Sequence, residues 1–95
     1  MTVDNRKEYR DMMITQVKKH EDFTEDLRAK AGKEKATARV EDDLRELERL
    51  VQKGKELLPG LETDDDSQFQ TTKEKLDETL EQMGKTFDRA SAKLT

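Results

Sequence analysis

The chain has 95 residues, 31% apolar and 4% aromatic, so it forms one domain at most, with a thin core that leaves no room for a large closed catalytic pocket. Its net charge of -4, in a chain that is 44% charged, argues against sequence-specific DNA binding or general nucleic-acid binding, which ask for a basic surface. Cysteine is absent, which removes disulfides and thiol chemistry. No apolar run approaches the roughly 20 residues of a membrane span, and MTVDNRKEYR lacks a signal segment, so a cytoplasmic protein is expected.

The strongest helix breakers are Gly32 and the stretch LPGLETDDDS. They predict a first helix over about 5–31, a second over about 34–58, an acidic loop over about 59–67 and a third helix over about 68–94. In the first segment Tyr9, Met13, Gln16, His20, Phe23 and Leu27 recur in alternating steps of four and three, a heptad seam with two polar members. Gln16 and His20, one turn apart, read as a polar layer that fixes register. Gly32 offers a tight turn. The second seam is Val40, Leu44, Leu47, Val51, Gly54 and Leu58, ended by Pro59 and Gly60. After it the acids of Asp64 to Ser67 supply caps and suit the positive start of the next helix. The third seam is Leu76, Leu80, Met83, Phe87, Ala90 and Leu94.

Three matching seams with polar flanks bury themselves only against one another, which predicts an all-α, antiparallel three-helix coiled-coil-like bundle in a single domain. Glycine and polar members weaken those seams, so the expected states are a marginal monomer or a homodimer that completes the core with a second copy. Outside the seams, Glu41 with Arg45 and Glu81 with Lys85 are favourable pairs one turn apart, on exposed faces.

The chain offers little for catalysis. His20 is the single histidine, it lies within a seam, and it reads as a core or interface residue rather than a ligand or base. The acids of Glu62 to Asp66 invite a calcium reading, but TDDDSQFQTTKE has no central glycine of a calcium loop. No phosphate-binding glycine loop, CxxC or HExxH pattern occurs, so neither an enzyme nor a cofactor is expected. Gly54 and Gly84 each forfeit about 1 kcal/mol of helix propensity, which marks either a close approach of another element or a tolerated weak spot.

The segment RAKAGKEKATAR, Arg28 to Arg39, holds five basic residues and one acid. In an up-down-up bundle it shares one end with the last turn of the third helix. Arg28, Lys30, Lys33, Lys35, Arg39, Arg89 and Lys93 are thus expected to gather opposite the acids of the second connection. That cluster is either a solvated turn or a surface for phosphate, acidic protein or lipid headgroups. Aromatic side chains for base stacking are missing from it.

From Ala38 onward, ARVEDDLRELERLV, a polar turn and KEKLDETLEQMGKTFDRASAKL resemble the soluble part of the ElaB/YqjD family of small bacterial proteins. RVEDDL, Arg39 to Leu44, carries the resemblance, which covers residues 38–95 and lacks the family's glycine-rich anchor. It implies a bacterial helical hairpin and, as in some members, association with ribosomes at the inner membrane. The residues themselves point to a non-enzymatic helical interaction module, an adaptor or small regulator that binds another protein through a helical face. The alternatives are a binder of anionic lipid or ribosome through the basic end, and a small acidic inhibitor of a basic target.

Overall fold

The computed structural model describes residues 3–94. Long runs rich in Leu, Glu, Lys and Arg and free of proline form α1 (Val3–Lys33), α2 (Thr37–Leu57) and α3 (Asp66–Ala92), with a short 3₁₀ turn at Leu58–Leu61. The described residues form an all-α bundle in which the three helices pack on one another, up, down and up, over 48 × 17 × 17 Å. No helix among them is long and apolar enough to cross a membrane.

The first turn lies beyond Gly32, which is helical. Lys35 takes the left-handed conformation, at φ 56°. Its amide donates to the Gly32 carbonyl at 3.2 Å, and that of Ala36 to the Ala31 carbonyl at 2.8 Å. This pair of bonds closes a helix at a left-handed residue, and the buried Ala31 and Ala36 join one apolar cluster beneath it. A lysine in the position that glycine favours carries no sequence signal, hence the misplaced turn. At the other end Pro59 opens the 3₁₀ turn, and Asp65 caps α3 by accepting from the Gln68 amide at 3.0 Å.

In α2 the expected seam is the core: Val40, Leu44, Leu47, Val51 and Gly54 are buried and only Leu58 is half-buried. The other two registers differ. On α1 the buried line is Met13, Val17, Thr24, Leu27 and Ala31, while Gln16 and His20 are half-buried and Phe23 is 37% exposed. On α3 it is Phe69, Thr72, Leu76, Thr79, Met83, Thr86 and Ala90, with Leu80 and Phe87 half-buried beside it. Threonines serve in a core because the hydroxyl can be satisfied within its own helix. Thr79 and Thr24 donate to the carbonyls of Lys75 and His20, each at 2.7 Å.

The glycines differ in kind. A Cβ on Gly54 would stand 3.2 Å from both Met83 Cε and Val17 Cγ2, so all three helices meet there, whereas Gly84 has nothing within 4 Å. Gly84→Ala should therefore stabilise the protein by about 0.5 to 1 kcal/mol through helix propensity alone. Gly54→Ala should gain less or lose, because the stiff Val17 resists the crowding. Thermal unfolding followed by circular dichroism measures both. Equal gains would mean that α1 is not seated against Gly54.

Candidate functional site

The bundle has three interhelix flanks, and charged side chains bridge two of them, chiefly near the first turn. Between α1 and α2, Lys55 pairs with Glu21 and Arg28 with Glu48, and Arg28 also reaches Glu41 at 3.5 Å. Between α2 and α3, the buried Asp43 accepts from Arg89 Nε at 2.9 Å and Lys93 Nζ at 2.7 Å. Arg39 adds a hydrogen bond to the Lys93 carbonyl at 3.3 Å. Burial alone would push the Asp43 carboxyl up, but hydrogen bonds from Lys93 and Arg89 and their charges hold it below the usual carboxylate range.

Among the described residues, the polar ties across the α1–α3 flank lie toward the acidic end. There the Tyr9 hydroxyl donates to Asp77 Oδ1 at 2.8 Å, and Lys73 bonds Asp77 at 3.0 Å while lying 5.1 Å from the centre of the Tyr9 ring. Burial, then the bond to Asp77 and its charge, push the Tyr9 phenol up. Arg6 pairs with Asp66 and stacks 5.3 Å from the Phe69 ring centre.

From Gln16 to Lys30, no hydrogen bond or ion pair joins α1 to α3 among the described residues. The rings of Phe23 and Phe87 meet with centroids 5.6 Å apart. Beside them opens a groove of about 230 Å³ lined by Phe23, Asp26, Leu27, Lys30, Phe87 and Ser91. Its walls continue as Gln16, His20 and Phe23 on α1 and as Leu80, Gly84 and Phe87 on α3, all short of full burial. Met12, 49% exposed, lies one turn before Gln16.

Gln16 and His20 do not bond to each other as a core layer. His20 packs 6.2 Å from the Phe23 ring, and burial followed by the charge of Lys19 lowers its pKa, so the imidazole is neutral at pH 7.

The seven basic residues come to one end, but four of them have partners. Arg28, Arg89 and Lys93 are ion-paired and Arg39 is hydrogen-bonded, which leaves Lys30, Lys33 and Lys35 exposed and without ion pairs among the described residues. The far end is also less acidic than expected, because Arg6 pairs with Asp66 and Arg10 lies 3.6 Å from Glu62. The charge separation along the bundle is correspondingly weaker. Sequence reasoning missed Asp43 and the Phe23–Phe87 groove. The i, i+4 pairs are present, Glu41 with Arg45 at 3.0 Å and Glu81 with Lys85 at 3.2 Å.

Geometrically, then, the class is an all-α three-helix bundle with a partly apolar groove on its α1–α3 flank. Compared with known proteins, the chain matches no family model, no curated protein and no solved structure.

Proposed function

We propose that the protein is a non-enzymatic interaction module, an adaptor or small regulator, whose α1–α3 groove receives a helix of a protein partner. The carrying observation is that this groove presents Phe23, Phe87 and Leu80 incompletely covered, with no ion pair or hydrogen bond across it from Gln16 to Lys30 among the described residues. Amphipathic helices dock in such grooves through apolar anchors spaced three and four residues apart. A partly covered aromatic is the usual centre of such binding. Phe23→Lys should reduce partner recovered from the source cell about tenfold or more, with helicity unchanged.

A second reading has one observation of its own, the three unpaired lysines at the first turn. They would bind an anionic surface, lipid headgroups or the ribosome, and not a helix. The same capture experiment decides between them. Reversal of Lys30, Lys33 and Lys35 to Glu should leave recovery unaltered if the groove docks the partner. Loss with this triple variant and none with Phe23→Lys would favour the basic end.

A further inference from the structure

We infer that α1 is an exchangeable arm: the turn between α1 and α2 straightens into helix, and α1 then packs on α2 and α3 of a second copy of this chain, in a domain-swapped dimer. This exchange holds whatever the groove receives.

Only Glu34, Lys35 and Ala36 separate α1 from α2. A reversal this short usually has glycine or asparagine at its left-handed position and a capping side chain at the start of the next helix. Here the left-handed residue is Lys35, at φ 56°, while Gly32 lies three residues earlier inside α1. Ala36 begins α2 with no side-chain cap, and the first turn holds no acid but does hold Arg39, a cation at the positive end of the helix. From Ala31 to Ala38 the sequence AGKEKATA contains no proline and is dominated by Ala, Lys and Glu, among the strongest helix formers. Local preference therefore opposes the turn, and short strained hinges of this kind invite exchange. Straightening relieves the left-handed residue and gives the first amides of α2 carbonyl partners in α1.

The exchange preserves the packing of α1. Its contacts with the other helices, including Glu21 to Lys55 and Arg28 to Glu48, re-form between copies. What is lost is the turn itself, with its two closing bonds and the packing of Ala36. Straightened, α1 and α2 make one helix from Val3 to Leu57, roughly 80 Å long, against 48 Å for the closed bundle. Two such helices lie antiparallel, and each α1–α3 groove is then built from Phe23 of one copy and Phe87 of the other. The lysines of both hinges meet at the centre of the dimer, so their repulsion opposes exchange and salt favours it.

The chain has no cysteine, so Glu21→Cys with Lys55→Cys places one thiol on each side of the α1–α2 flank. This variant is refolded at about 5 and 500 µM, with circular dichroism checking the fold, and gel filtration separates dimer from monomer. A short bismaleimide is then added to each fraction. The high concentration should yield dimer, and its links should join two chains in a denaturing gel, whereas the monomer's stay within one. In the same background Lys35→Gly should lower the dimerisation constant about a hundredfold, tenfold for each of two hinges, because glycine favours the turn and disfavours the helix. Lys35→Ala loses the same charge but keeps the helix preference, and should raise the constant. No dimer at either concentration, a dimer whose links stay within one chain, or two Lys35 variants that shift the constant in the same direction would each overturn the exchange.

Discussion

Leu47→Ala is expected to lower stability by about 2 to 5 kcal/mol, which for a domain of this size is about 10 °C or more of melting temperature. Leu47 is 1% exposed and packs with Val40, Leu44 and Ala90, so its loss leaves a cavity that rigid neighbours cannot fill. Leu80→Ala should cost about half as much, since Leu80 is only half-buried at the edge of the groove. Glu81→Ala, which removes an ion pair whose side chains are 67% and 74% exposed, should change stability by less than about 0.5 kcal/mol. Thermal circular dichroism of the three variants ranks them. A Leu80 effect as large as that of Leu47 would place the groove inside the core.

The second large effect lies at Asp43, and it depends on pH. Asp43→Ala should cost about 1 to 3 kcal/mol at pH 7. The buried carboxylate loses two charge-assisted bonds, while Arg89 and Lys93, about half in water, return to solvent cheaply. The folded pKa of Asp43 is depressed, so the contribution is complete above the unfolded carboxylate range near pH 4. It fades as pH falls through the lower folded value. The gap between native chain and variant should accordingly close toward pH 2. His20 acts in the same direction at higher pH. Its folded pKa is also lowered, so protonation below about pH 6.5 favours the unfolded chain. Urea titrations of native chain and Asp43→Ala between pH 2 and 7 measure the gap, and a constant difference would show that the ion pairs contribute nothing.

Sequence periodicity located the three helices and the α2 seam because Val40, Leu44, Leu47 and Val51 leave one apolar line to choose from. It misjudged α1 and α3 because each offers two adjacent lines. On α3 the larger side chains, Leu80 and Phe87, outrank Thr79 and Thr86 on any hydrophobic scale. Yet α3 lies most extensively against α2, and the smaller threonines line the side that is fully enclosed. On α1 the aromatic Phe23 outranks Thr24 in the same way, and the packed bundle again buries the threonine.

The candidate site was less legible than the fold. The groove is built from residues about 60 positions apart, and its openness depends on which cations find carboxylates elsewhere. Arg28 is engaged by Glu41 and Glu48, and Asp43 gathers Arg89 and Lys93, through contacts 13 to 50 residues apart. Helix spacing alone cannot foresee such pairs. What the basic cluster did forecast was the common end that these residues occupy.

Whether the α1–α3 flank is the docking surface is read most directly by amide hydrogen exchange on the chain, free at low concentration and then bound to the partner recovered by capture. Docking in the groove predicts added protection along α1 from Met12 to Lys30 and along α3 from Leu80 to Ser91, with the outward face of α2 unchanged. Protection confined to α2, or to the turn at Lys33 and Lys35, would contradict it.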